Sequence, residues 1–260
     1  MDRLPLTLRD FAIEHTGAIK GDPNKMPLKI LHTNDFHGAL VGPALEKLTE
    51  LRQDADLYLD SGDCIKAGNL AFVLRPEAIW KHLADLNCDA SVTGNRECHL
   101  YEFAVRMKLS GATHPVLCGN LKRKGGDYLL PRSLVFHREG YRVGILSAMI
   151  AMVTPKMSSQ SAVTLTWEPA NDTIIQLAEE LQPQVDVLIA LTHIGHRQDL
   201  DLAAKCPQLD IILGGHSHTV VPDPVKVGST FVCQGGSHAK YAGVYDWNDG
   251  VLTGGLVPLK

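Results

Sequence analysis

Leu28-Lys29-Ile30-Leu31-His32-Thr33-Asn34-Asp35-Phe36-His37-Gly38 is an apolar strand that gives way, at its end, to side chains able to bind metal. The same transition recurs along the chain, at Ser61-Gly62-Asp63, Gly94-Asn95-Arg96-Glu97, Thr192-His193-Ile194-Gly195-His196 and Gly214-Gly215-His216-Ser217-His218, with Gly235-Gly236-Ser237-His238 trailing. Side chains at the ends of neighbouring strands converge at one edge of a sheet, so residues distant in sequence can share a site. Asp35, Asp63, Asn95 and the histidines 37, 193, 216 and 218 supply hard oxygen and borderline nitrogen donors. That set is sufficient for two divalent metals sharing a bridge, and it points to phosphate-ester hydrolysis.

Working outward, short apolar runs alternate with amphipathic segments. Strands are expected over Leu28–His32, Asp56–Leu59, Ala90–Val92 and Pro115–Cys118, and helices over Ala44–Arg52, Pro76–Leu86 and Leu100–Leu109. The last helix should bury Leu100, Phe103, Ala104 and Met107. A hairpin follows at Leu134–His137 and Arg142–Ser147, turning at Arg138-Glu139-Gly140. Pro169–Leu181 places Ile174, Leu177, Ala178 and Leu181 at helical spacing. Val185–Leu191 and Leu209–Leu213 are near-continuous apolar runs, as in strands buried on both faces. Phe231 to Leu259 reads as three consecutive strands. Alternating β and α followed by consecutive strands predicts an α/β fold of two stacked mixed sheets flanked by helices. Residues 1–27, with a turn at Gly21-Asp22-Pro23-Asn24 and a short helix over Leu8–His15, read as an arm appended to a single domain over 28–260.

A 45% hydrophobic content is ample for one large core in 260 residues. The net charge of −4 offers no electrostatic basis for binding a nucleic-acid polymer or a membrane surface. No apolar run nears the roughly 18 residues of a spanning helix. Acids at Asp2, Asp10 and Glu14 disagree with a signal peptide. The cysteines, 64, 88, 98, 118, 206 and 233, are scattered without CxxC spacing, as expected of reduced thiols in a cytoplasmic protein.

The candidate residues differ in weight. Asp35 and His37 are two apart after a strand; if the backbone stays extended, both point the same way and can grip one ion. His216 and His218 repeat that spacing. Asp63 has two carboxylate oxygens and can bridge, while Asn95 offers a neutral amide oxygen. His193 directly follows a buried strand. His196 is placed either at the substrate or at the start of the next helix, and His238 as a ligand or part of the pocket wall. Asp60 is expected to accept hydrogen bonds beneath the site.

The order D-x-H, G-D, G-N-x-E, H, G-H-x-H in these segments resembles the calcineurin-like metallophosphoesterase superfamily. LHTNDFHG, GGHSHT and Gln234-Gly235-Gly236-Ser237-His238-Ala239-Lys240-Tyr241-Ala242-Gly243 are similar to the catalytic domain of its 5′-nucleotidase branch. The resemblance spans about residues 28–259. It implies a two-sheet sandwich with one metal on Asp35, His37, Asp63 and His218 and the other on Asp63, Asn95, His193 and His216. A water or hydroxide between the metals would be the nucleophile. The donor set is compatible with manganese, iron, zinc, cobalt or nickel.

Two departures from the family pattern carry consequences. The branch motif G-N-H-E-F-D is Gly94-Asn95-Arg96-Glu97-Cys98-His99 here. Arg96 cannot release a proton near neutral pH but is an effective clamp for phosphate oxygens. His99 is therefore a candidate general acid in place of the missing histidine, packing at the start of a helix being the other assignment. The base-clamping C-terminal domain of the branch has no counterpart in these residues, so weak discrimination among bases is expected. The expected activity is hydrolysis of a small phosphorylated substrate, a monoester, nucleotide-like ones included. A phosphodiesterase acting on nucleotide-type diesters, or a metal-bearing binding module without turnover, are the competing readings. Nothing in the sequence sets the oligomeric state.

Overall fold

The apolar runs and the amphipathic segments between them build two six-stranded sheets. The computed structural model describes residues 25–154 and 156–260, so the expected helix over Leu8–His15 lies outside the described residues. In chain order the elements are β1 (Leu28–Thr33), α1 (Pro43–Gln53), β2 (Leu57–Asp60), α2 (Ala78–Asp85), β3 (Ala90–Val92), α3 (Glu102–Leu109) and β4 (Val116–Leu117). Next come β5 (Leu121–Arg123), β6 (Ser133–Arg138), β7 (Tyr141–Met149), β8 (Leu165–Trp167), α4 (Ala170–Leu181), β9 (Val187–His193) and α5 (His196–Lys205). β10 (Ile211–Gly214), β11 (Val225–Val227), β12 (Thr230–Gln234), β13 (Tyr241–Asn248) and β14 (Val251–Pro258) complete the chain.

The first sheet has the order β14-β13-β1-β2-β3-β4 and the second β11-β12-β10-β9-β7-β6. Within the first, β1 to β4 are parallel, and β13 is antiparallel both to β1 and to β14. In the second, β7, β9, β10 and β12 are parallel, with β6 and β11 antiparallel at the edges. The three consecutive C-terminal strands form as expected but divide between the sheets. β12 joins β10, while β13 and β14 close the edge beyond β1.

Alternation along each strand explains the layering. Ile30, Leu57, Leu59, Ala90 and Val92 face Val143, Ile145, Ile189, Leu191, Ile211 and Leu213 in a core between the sheets. Leu31 and Tyr58 turn outward against Ala44 and Leu48 of α1 and Ile79, Trp80 and Leu83 of α2. Leu146, Leu188, Ala190 and Ile212 do the same against Ile174 and Leu177 of α4 and Leu202 of α5. The result is a four-layer helix–sheet–sheet–helix sandwich.

Helix α3 corrects one expectation. It buries Ala104, Val105 and Lys108, whereas Phe103 is exposed and stacks in parallel on Phe72 at 5.7 Å. Lys108 turns this face inward because its ammonium donates to the carbonyls of Gly68, Asn69, Arg96 and Cys98 at 2.7–3.0 Å. Helix α2 starts two residues later than expected: Glu77, at its N-terminus, accepts hydrogen bonds from the backbone of Lys66 and Ala67.

Candidate metal centre

The C-terminal ends of the parallel strands from both sheets meet at one edge. β1 leads to Asp35 and His37, β2 to Asp63 and β3 to Asn95. From the second sheet β9 ends at His193, β10 leads to His216 and His218, and β12 to His238. Backbone bonds lock these ends together. Asp35 N–H donates to the Gly62 carbonyl and His37 N–H to that of Asp63, each at 2.9 Å, and His238 N–H donates to the Asp35 carbonyl at 2.8 Å. The backbones approach too closely for side chains at two positions. A Cβ on Gly94 would fall on the Asp63 carboxylate, and one on Gly215 would lie 2.8 Å from the Ser61 carbonyl and 2.9 Å from His193 Nδ1.

Two groups of donors result. Asp35, Asp63 and His193 form a buried set, with His193 Nε2 at 3.6 Å from Asp63 Oδ1. His37, His218 and His238 form a second, more open set, with His37 Nε2 and His218 Nε2 2.9 Å apart. Asp35 Oδ1 joins the two, 3.3 Å from His218 Nε2 and 3.7 Å from His37 Nε2. His216 Nδ1 meets Asn95 Oδ1 at 2.9 Å, and its ring lies edge-on to His193. All seven sequence-derived metal candidates are therefore brought together. His196 is not among them; it opens α5, its N–H bonded to Ser217 Oγ.

The i, i+2 pairs converge by a route other than the expected extended backbone. Asp35 and His37 both have φ of 51°, His216 78° and His218 55°. Asp63 and His238 are also left-handed, at 55° and 58°. Six of the ten described non-glycine residues with positive φ thus carry donors at this edge. Such backbone costs on the order of 1–3 kcal/mol per residue, less for Asp and His, and persists where surrounding contacts over-determine it.

A ring of polar contacts aims the donors. Asp35 Oδ2 accepts from Asn34 Nδ2 and from His216 N–H at 2.7 and 2.8 Å, leaving the buried Oδ1 without a hydrogen-bond partner. His193 Nδ1 is 2.6 Å from the Ser61 carbonyl, which holds its proton there and leaves Nε2 unpartnered toward Asp63. Asn95 donates through Nδ2 to Asn69 Oδ1, turning its own oxygen to the site. Glu97 is wholly buried and accepts backbone N–H from Asp63, Ile65 and Gly94 at 2.8–3.0 Å. Its bracing role was hidden in the sequence, where only its place in the G-N-x-E motif signalled it. Asp60 accepts from Thr33 Oγ1 and Gly62 N–H, the supporting part expected of it.

These surroundings set the protonation that the side chains alone dictate. Burial pushes Asp63 up, but the charge of His193 beside it, with the Arg96 N–H, outweighs this and holds the carboxyl below its usual value. Burial likewise depresses His193, yet Asp63, Asp35 and the Ser61 carbonyl lift it to about 9. His37 is lowered to about 4 by burial, with the Arg96 guanidinium adding to the shift. Burial raises Glu97, helped by Asp63.

The rewritten turn places its two candidates differently. Arg96 N–H donates to Asp63 Oδ1 at 2.7 Å, and its guanidinium, a third exposed, lies 4.0 Å from Asp63 Oδ2 while bonding the Lys66 carbonyl. His99 is buried, with its ring against Phe72 and Tyr101. Its Nδ1 accepts from Tyr101 N–H at 3.2 Å. Desolvation lowers its pKa.

A helix-flanked double sheet presenting carboxylates, an amide and imidazoles at its strand ends is the metallophosphoesterase fold. The chain belongs to the calcineurin-like phosphoesterase family, whose profile matches residues 28–220. Among relatives, Protein 5NUC of Lutzomyia longipalpis is 29% identical over 84% of this chain and 45% of its own length. The trifunctional nucleotide phosphoesterase protein YfkN of Bacillus subtilis is 27% identical over 84% of this chain and 18% of its own. The chain thus spans less than half of either. A 5′-nucleotidase precursor from Thermus thermophilus superposes with a TM-score of 0.72 at 22% identity, covering 90% of this chain and 54% of that one, a likeness of fold.

Proposed function

We propose that residues 28–260 form a dinuclear-metal phosphoester hydrolase acting on small phosphate monoesters, nucleotide-like ones included. The observation that carries this is the pair of buried, unpartnered atoms Asp35 Oδ1 and His193 Nε2 grouped with Asp63, with Asp35 and Asp63 in left-handed backbone held by contacts from both sheets. A buried polar atom without a partner is costly, and two cations sharing Asp63 would satisfy one each. The donors fit the group: Asp35, His37, Asp63 and His218 would hold one ion, and Asp63, Asn95, His193 and His216 the other. Two divalent ions there would activate water and neutralise phosphoryl charge.

The chain's own contribution is placement. Arg96, beside Asp63, offers its guanidinium to phosphate oxygens, and a second positive group favours a dianionic monoester. Glu97 and Lys108 hold the turn that carries Asn95 and Arg96. His99 is buried against Phe72 and Tyr101 with its Nδ1 committed to the Tyr101 N–H, which favours a positioning role over the general-acid role considered for it. Without a committed acid, esters with good leaving groups react best, and that keeps an activated diester as the second reading. The buried, unpaired thiols of all six cysteines fit the proposed cytoplasmic setting. No described helix is long and apolar enough to cross a membrane.

The test is a pair of assays on the metal-supplied protein, with an aryl phosphate and a bis-aryl phosphate. The monoester should be hydrolysed faster. Preference for the diester would support the second reading, and no turnover of either would leave a metal-bearing binding module.

A further inference from the structure

His238 lies outside the seven donors assigned above, yet it completes a three-imidazole face. Its ligand nitrogen falls within 4.8 Å of those of His37 and His218, and its ring centroid is 4.8 Å from that of His37 and 5.8 Å from that of His218. We propose that His238 is a further ligand of the metal held by Asp35, His37, Asp63 and His218, giving that position a third imidazole and a nitrogen-rich donor set. The inference rests on the dinuclear reading.

Three observations support it. His238 and Ala239 are consecutive left-handed non-glycine residues, at φ 58° and 52°. A loop free to relax would abandon such a pair. This one is held: Asn34 donates to the Gly236 carbonyl and accepts from Gly235 N–H, while His238 N–H donates to the Asp35 carbonyl. The fastening therefore runs to β1, the strand that delivers Asp35 and His37, and fixes the imidazole relative to them. Finally, Ser237 Oγ lies 2.9 Å from His238 Nδ1, which leaves Nε2 as the free donor, the arrangement by which an outer partner orients a ligating histidine.

Chemically, a third imidazole beside the carboxylates moves the preference of this position away from manganese and toward zinc, cobalt or nickel. The test uses the full chain, stripped of metal and titrated with cobalt and with manganese against a chromophoric chelator, with the cobalt absorption spectrum recorded. Wild type should take up two ions. His238→Ala and the volume-matched His238→Phe should still take up two, with one bound at least about 10- to 100-fold more weakly and with altered cobalt bands. The cobalt-over-manganese preference should shrink, and free imidazole should restore the wild-type spectrum to His238→Ala but not to His238→Phe. Unchanged affinity and spectrum in both variants overturn the role of His238 and leave the dinuclear reading standing. A wild type that takes up fewer than two ions overturns both.

Discussion

The parallel strands carry polar side chains at both ends, and the two ends treat them in opposite ways. At the starting end Asp56, Asp89, Asp186 and Asp210 immediately precede β2, β3, β9 and β10. Each accepts a backbone N–H from the neighbouring strand, from Lys29, Tyr58, Arg142 and Leu188 respectively, at 2.8 Å. Asp89 also draws Arg138, and Asp186 draws Arg142. At the finishing end, Asp35 and His193 keep buried atoms with no partner, and Asp35, His37, Asp63, His216 and His218 sit in left-handed backbone. A carboxylate at a strand end is thus no mark of a site in itself. Among these carboxylates and imidazoles, unmet hydrogen-bonding capacity together with left-handed backbone separates the working residues from those that only register one strand on the next.

The sharpest way to break this contrast is to remove one arginine from each end. Arg96→Ala should lower kcat/KM by about 10²–10³, the effect of losing one oxyanion donor, with metal content unchanged. Arg138→Ala, at the starting end, should leave kcat/KM at the wild-type value and cost at most about 1 kcal/mol of stability, as for a partly exposed ion pair. Equal activities in the two variants would mean that Arg96 does not meet the phosphate.

A smaller effect sharpens the description of the starting end. Burial raises Asp210 from 3.8 to about 6, against the lowering effect of the Leu188 N–H. The folded protein therefore keeps that proton to higher pH than the unfolded chain, so folding takes up a proton between those values. Stability should fall as pH rises through that window, by about 2–3 kcal/mol at roughly 1.4 kcal/mol per pH unit. Asp210→Asn should remove this part of the pH dependence, read by denaturant unfolding at pH 4 and pH 7. A variant that keeps the wild-type difference would show that Asp210 titrates normally in the fold.

Much of this was legible in the sequence, because periodicity reports which faces are buried. Ile174, Leu177 and Ala178 occupy the inner face of α4, and the apolar runs before His193 and His216 are strands buried on both faces. The donors were legible because residue type and position after a strand are local facts. The conformation that aims them was not: Asp35 and His37 converge through left-handed turns set by contacts with Gly62 and Asp63, far off in sequence. Lys108 misled for a similar reason. A lysine on a helix face reads as solvated, and only the four carbonyls gathered around it explain its burial and the displacement of Phe103. β11 and the short β5–β8 pair were missed, since strands of three residues carry little periodicity, and α5 was anticipated only as the helix after His196, without bounds, because Leu202 and Ala203 make a narrow apolar face. The division of β12 from β13–β14 depends on sheet partners that no local pattern names.

The central claim is that the finishing end holds two ions bridged through Asp63. Metal-free protein titrated to saturation with a divalent ion should bind two per chain. Asp63→Asn should weaken both sites together, because an amide is a poor bridge between cations, whereas His218→Ala should weaken one. One ion per chain in the saturated wild type, none at all, or an Asp63→Asn variant that binds both ions as wild type does would contradict it.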